Sequence, residues 1–88
     1  MPRTYRITEI KPKNGVLRET HKDMLGGKAY IIEANPGERG LIKVIPSYDD
    51  EYHTFCTTPI VKCDPWYEDP DTIIVETERT FYVLTAVS

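Results

Sequence analysis

Hydrophobic residues along this chain fall in short alternating or continuous runs, and each run is bounded by turn residues. A period of two, with hydrophobic and polar side chains on opposite faces, is typical of a half-buried β-strand. The predicted strands are residues 3–10, 29–34, 39–45, 52–57, 72–77 and 80–87. The strand at residues 52–57 is broken or bent at Thr58 and Pro59, and residues 60–63 are a candidate continuation of it.

Two hairpins are the clearest elements, one over residues 28–46 and one over residues 72–87. The first has Pro36 and Gly37 between its arms, and this pair favours a type II turn because proline presets φ and glycine accepts a positive φ. The second has Glu78 and Arg79 between its arms. Since this pair lacks the chemistry of a two-residue type I′ turn, a longer turn is expected.

Residues 16–25 are ambiguous between a short helix and an ordered loop. Leu17 and Met24 belong to a set of residues that recur at helical spacing. Asn14 is a candidate cap, and Gly26 is a candidate left-handed stop. Both structures fit the sequence, and we favour one or two helical turns.

Composition supports β structure. The β-branched residues number 25 (nine Ile, six Val and ten Thr), against four Leu and three Ala. Branched side chains suit a pleated strand better than a helix. The chain is therefore predicted to be a single all-β domain over residues 1–88, with five to six strands and at most one short helix near residues 16–25. The expected architecture is a small curled sheet or a partly open barrel, SH3-like or OB-like.

The predicted location is the cytoplasm. Residues 1–6 lack the apolar segment of a signal peptide, and no apolar run approaches the length of a membrane span. We therefore expect no membrane association. Cys56 and Cys63 do not make a disulfide framework, and both are expected to be thiols in a reducing compartment.

Charge is distributed unevenly between the two halves of the chain. Residues 1–44 carry nine Lys or Arg and five Asp or Glu, whereas residues 45–88 carry two basic and nine acidic residues. The two sums, +4 and −7, give the net charge of −3. This asymmetry predicts either a dipolar surface or, if strands from both halves interleave, a field that partly cancels.

No motif predicts an enzyme, a metal site or a cofactor. His53, Cys56 and Cys63 resemble zinc ligands in type but not in spacing, because strand residues three apart point to opposite faces. Nothing next to either cysteine lowers a thiol pKa. The acidic segment 64–71 lacks the glycine and the ligand spacing of a calcium loop.

Nucleic acid is an unlikely partner for this sequence, although small barrels often bind single strands. Basic residues gather near the start of the chain, but the aromatic residues of the second half lie beside acids that repel phosphate. The pI of about 5.3 also counts against nucleic acid. A single-stranded nucleic-acid-binding protein is kept as the alternative function.

Two segments that combine aromatic and acidic residues are the predicted binding site. Aromatic residues favour interfaces, and neighbouring acids attract a basic surface. The expected partner is another protein with a basic surface, and head-to-tail self-association is a further option. Trp66 has an alternative role as a plug at one end of the barrel. The predicted site residues are Tyr48, Asp49, Asp50, Tyr52, Trp66, Tyr67, Glu68 and Asp69.

Overall fold

Six antiparallel strands make up most of the structure, a computed structural model that describes residues 3–87. Each strand pairs with its neighbour in sequence, and β6 pairs with β1 to close the sheet into a barrel. The prediction of a small all-β barrel is confirmed, and the ring is closed. The strands are β1 (Tyr5–Pro12), β2 (Lys28–Glu33), β3 (Arg39–Val44), β4 (His53–Cys63), β5 (Thr72–Thr77) and β6 (Thr80–Ala86).

One short helix, α1 (Glu19–Met24), lies between β1 and β2, within the predicted segment 16–25. Asn14 does not cap it, contrary to expectation, because its side-chain oxygen accepts a hydrogen bond from the Val16 amide at 3.0 Å. Asparagine commonly bonds an amide two residues ahead in this way, and that geometry makes a turn rather than a cap. Gly26 has a positive φ of 82° just after the helix, as predicted.

Both predicted hairpins are present. Gly37 has a φ of 87°, and the Glu38 amide donates to the Asn35 carbonyl at 3.1 Å, as a type II turn requires. In the second hairpin the last paired residues are Glu76 and Phe81. Four residues therefore separate the last pair, and the predicted longer turn is confirmed.

Strand β4 bends at Pro59 but does not break there. Its first part pairs with β3, from His53 opposite Val44 to Pro59 opposite Arg39. Its last part pairs with β5, from Ile60 onward, and the register shifts by a bulge just after Ile60. The pairing of β4 with β3 also shifts register between Cys56 and Pro59, and proline is tolerated at such a bulge. One continuous strand thus serves two neighbours.

The barrel interior is filled by alternate residues of the strands. Ile7, Ile42, Ile73, Val75 and Leu84 are almost completely buried, and most of these are β-branched, as a pleated core favours. Because side chains alternate between the two faces of a strand, only about every second residue has to fill the barrel interior. A small number of large hydrophobic residues is therefore enough for the core.

The ring is uneven at the contact between β1 and β2. These strands share only the pairs Tyr5 with Ala29 and Arg6 with Lys28, whereas β1 pairs with β6 along its whole length. Gly27 continues the contact by accepting the Ile7 amide. A side chain at Gly27 would collide with the Ile45 carbonyl oxygen, so this close approach requires glycine.

Within residues 3–87, none of the helices combines the length and the apolar character that crossing a membrane would require.

Candidate functional site

The predicted site residues lie in two separate loops. The β3–β4 loop, residues 45–52, and the β4–β5 loop, residues 64–71, are attached to opposite ends of the eleven-residue strand β4. Each loop lines its own cavity, and the two cavities share no residue. The structure therefore brings each loop's residues together but does not merge the loops into one face. The β3–β4 loop holds Tyr48, Asp49, Asp50 and Tyr52, and the β4–β5 loop holds Trp66, Tyr67, Glu68 and Asp69.

The aromatic pair of the β4–β5 loop is divided between core and solvent. A single 3-10 turn, Trp66–Glu68, places the Trp66 ring edge-to-face with the Tyr67 ring, with centroids 5.8 Å apart. Trp66 is half-buried and packs against the barrel core, while Tyr67 is 70% exposed. Trp66 thus contacts the core while part of its side chain stays exposed.

Beneath these rings lies a cavity of about 260 Å³. Its floor is apolar and belongs to the barrel interior, and its rim carries one cation and one carboxylate. A flat apolar group of a partner would fit here better than a strongly charged one. The lining residues are Arg3, Tyr5, Ile31, Trp66, Tyr67, Asp69 and Ile73.

Contacts with β1 hold the β4–β5 loop in place. The Arg3 guanidinium lies 2.9 Å from the Asp71 carboxylate and donates to the Asp69 carbonyl at 3.0 Å. The Tyr5 hydroxyl donates to the Pro70 carbonyl at 2.6 Å. The loop is therefore anchored, and part of its negative charge is neutralised from within the molecule.

The β3–β4 loop is built around a carboxylate–imidazole contact. Asp49 Oδ2 lies 2.6 Å from His53 Nε2, and Asp49 Oδ1 accepts the Asp50 amide at 2.7 Å. The hydrogen bond with His53, followed by that amide, holds the pKa of Asp49 below its ordinary value. The Tyr48 ring stands edge-to-face against His53 at 5.8 Å and is 68% exposed. This fixes the loop while leaving Tyr48 accessible.

Asp50 and Glu51 carry the open negative charge of this loop. Neither forms an ion pair with any residue in the range 3–87, and both are exposed. Tyr52, beside them, packs edge-to-face on Tyr30 of β2 with centroids 5.1 Å apart. The loop thus presents carboxylates flanked by two tyrosines.

A cavity of about 200 Å³ adjoins the β3–β4 loop, and its wall is formed by α1, β3 and β4. The helix is attached to the loop because the Ser47 amide donates to the Asp23 carbonyl at 2.8 Å. The cavity is apolar at its floor and polar at its rim. Its lining residues are Thr20, Asp23, Met24, Val44, Pro46, Tyr48, His53, Thr54 and Phe55.

Sequence reasoning did not include Asp23, Met24, His53 or Phe55 in the binding site. From the sequence, His53 is a candidate zinc ligand or a partner for Cys56, but its side-chain partner in the structure is Asp49, four residues before it. Asp23 reaches the site because α1 packs on the β3–β4 loop. No local sequence pattern predicts this contact between the helix and the loop.

The described residues offer no metal site. Within residues 3–87, no three His, Cys, Asp or Glu side chains group closely enough to hold an ion. Both cysteines are free thiols. Burial, and then the charge of Asp64, raises the pKa of Cys63 to about 11, so this thiol is a poor nucleophile near neutral pH.

No protein-family model, curated protein or solved structure matches this chain. Its function is therefore inferred from the geometry and chemistry of its own side chains.

Proposed function

We propose that this protein is a non-catalytic binding module that recognises a basic segment of another protein at the β3–β4 loop and its adjoining cavity. One observation carries the proposal. Exposed Tyr48 and Tyr52 flank Asp50 and Glu51, whose carboxylates have no ion-pair partner within residues 3–87, beside an apolar cavity.

The exposed tyrosine supplies binding energy at small entropic cost. A tyrosine has few rotatable bonds, so holding it still costs less than holding a longer side chain. Covering its apolar surface gains roughly 25 cal/mol per Å². Since the ring of Tyr48 is already oriented by His53, part of the ordering cost is met before a partner arrives.

The cavity fits the stem of a lysine or arginine. Such side chains bury their methylene stem against apolar surface and keep the charged head near water or a carboxylate. Met24 and Phe55 provide the apolar wall, and Asp23 lies in the same lining. Asp50 and Glu51 would attract the partner from a distance and increase its association rate.

The β4–β5 loop is less suited to the same role. The Arg3 guanidinium already pairs with the Asp71 carboxylate and donates to the Asp69 carbonyl, so a basic partner would compete with it for Asp71. Tyr67 remains available as a secondary apolar contact. Of the two loops predicted from the sequence, the β3–β4 loop is therefore the one that carries the proposal.

Single-stranded nucleic acid is disfavoured at this site because phosphates would meet Asp50 and Glu51 beside the tyrosines on which bases would stack.

The test uses an array of short peptides carrying one to three Lys or Arg residues, with counterpart peptides in which these are Gln. The protein should bind the basic peptides and not the Gln counterparts. The double variant Asp50→Lys with Glu51→Lys should lower the association rate about tenfold and weaken its salt dependence. Tyr48→Ala should raise the dissociation rate.

The matched control is Glu68→Lys, which reverses an exposed carboxylate in the other loop and should leave binding unchanged. Equal binding by the parent and the double variant would contradict the proposal. Micromolar binding of single-stranded oligonucleotides that weakens steeply with salt would support the alternative. Concentration-dependent sedimentation without peptide would point to a second copy of the chain as the partner.

A further inference from the structure

A third cavity, of about 220 Å³, lies where the end of β1, the start of α1 and the β5–β6 turn meet. It shares no lining residue with the two cavities described above. Its lining combines two arginines with the apolar Pro12 and Val16, in a protein whose net charge is −3. The residues that matter here are Asn14, Arg18, His21, Arg79 and Thr80.

His21 is the unusual member of this lining. It is 1% exposed, and its ring is packed edge-to-face against Tyr82 and Phe55. Nε2 lies 3.3 Å from the Tyr82 hydroxyl, but Nδ1 is buried with no hydrogen-bond partner within residues 3–87. A buried polar atom without a partner is costly, so the unpaired Nδ1 of a residue that lines a cavity needs a physical explanation.

The protonation of this pair allows Nδ1 to be a donor. Burial, and then the charge of Arg18, lowers the pKa of His21, so the imidazole is neutral near pH 7. Burial raises the pKa of Tyr82, so the phenol keeps its proton. When that phenol donates to Nε2, the single imidazole proton sits on Nδ1. His21 then has an N–H group that lacks an acceptor.

Two arginines supply positive charge beside this donor. Arg18 and Arg79 form no ion pair within residues 3–87, whereas Lys13 next to them is paired with Glu76 at 2.7 Å. Glu78 borders an adjacent cavity together with Arg79 and brings one carboxylate to the region. The charge of the groups around the cavity is therefore positive, and in the tautomer with the proton on Nδ1 the missing partner is an acceptor.

We propose that this cavity is a binding site for a small phosphate-class oxyanion, held by the guanidinium groups of Arg18 and Arg79 and by His21 Nδ1–H. Guanidinium groups match the oxygens of phosphate with paired hydrogen bonds. Drug-sized ligands usually occupy about 300–1,000 Å³, so a smaller cavity suits a small anion. The site is independent of the β3–β4 loop, and its test does not depend on the peptide experiment.

The experiment is a titration of the whole protein with inorganic phosphate at constant ionic strength, followed by the nitrogen NMR shifts of the His21 imidazole and by calorimetry. Saturable binding that moves the His21 Nδ1 signal is expected. The double variant Arg18→Gln with Arg79→Gln should bind phosphate at least tenfold more weakly. Arg39→Gln, which removes an exposed arginine on β3, is the matched control and should bind as the parent does.

His21→Phe keeps a ring in the core and should also weaken binding at least threefold. Backbone amide spectra establish that each variant is folded, and the arginine variants keep the test valid if His21→Phe is not. Absence of saturation in the parent, or equal affinity in the double variant and Arg39→Gln, would overturn the proposal. Acetate binding as tightly as phosphate would overturn the phosphate assignment.

Discussion

The β3–β4 loop and the β4–β5 loop have nearly the same composition, two aromatic residues among several acids, but they differ in what the barrel does with them. In the β4–β5 loop, Arg3 and Tyr5 of the β1 region bond to residues 69–71, and Trp66 packs on the core. In the β3–β4 loop, Asp50 and Glu51 have no cation within residues 3–87. Asp71 of the β4–β5 loop is therefore ion-paired within the molecule, whereas Asp50 and Glu51 of the β3–β4 loop are left for the partner in the proposed function.

The reactivity of the two cysteines of β4 can test the difference between the anchored β4–β5 loop and the open β3–β4 loop. Cys63 precedes the anchored loop, and its pKa of about 11 leaves roughly a hundredfold less thiolate near pH 8 than a free cysteine has. Alkylation of Cys63 by iodoacetamide, followed by mass spectrometry, should be slower by that factor in the folded chain than in urea. The rate should rise about tenfold per pH unit until pH about 11.

The same pKa has a consequence for folding stability. The folded state holds the Cys63 thiol proton more tightly than the unfolded state does. This proton therefore contributes to folding stability below pH 9, the ordinary thiol pKa, and its contribution is lost as the pH rises toward about 11.

Equal alkylation rates of Cys63 in buffer and in urea would show that the end of β4 is as open as its start. Exposed Cys56 provides the internal reference for reagent activity.

Removal of one ring from each loop should separate their structural roles. Trp66→Ala should lower the free energy of unfolding by about 2–3 kcal/mol, below the range for fully buried aromatics because Trp66 is half-buried. Tyr48→Ala should change it by no more than about 0.5 kcal/mol, as is usual for an exposed position. Urea unfolding followed by circular dichroism gives both values. Similar losses in the two variants would remove the distinction between an anchored loop and an open one.

The smallest effect is expected for Arg3→Gln. Exposed ion pairs contribute about 0–1 kcal/mol to stability. The free energy of unfolding, measured with urea, should therefore fall by less than about 1 kcal/mol. The freed carboxylate of Asp71 should let the β4–β5 loop attract basic peptides more strongly, and the affinity for the peptide array should rise about twofold to fivefold. Lys11→Gln is the control for a simple loss of charge. No gain over that control would mean that Arg3 does not mask this loop.

The strands and turns could be predicted because their signals are local. Pro36 and Gly37 specify a turn within four residues, and alternation in residues 72–77 and 80–87 specifies a hairpin. Pro59 is harder, because whether it ends β4 depends on β5 supplying a second partner at Ile60.

The candidate site was only partly predictable, because its decisive contacts join distant parts of the chain. Arg3 meets Asp69 across 66 positions of sequence, and Ser47 meets Asp23 across 24. Contacts between residues so far apart produce no local pattern, so neither of them could be predicted from a single sequence. The aromatic and acidic residues were identified in advance, while the separation of the two loops and the cavity beside His21 required the fold.

The closure of the ring by β1 and β6 also has a consequence for how the chain folds. Tyr5 lies opposite Ala86, and the Val87 amide donates to the Thr4 carbonyl at 2.9 Å, so the most distant segments in sequence are neighbours in space. All other strand pairs join strands that are consecutive in the sequence, whereas this pair closes the longest loop and has the largest entropic cost of loop closure. Every strand of the closed ring has a neighbour on both sides, so the strand pairing itself does not depend on which strand begins the chain. A circularly permuted chain, joined between residues 4 and 87 and opened in the turn at Pro36, would form the same strand pairs while converting the most distant one into a local hairpin.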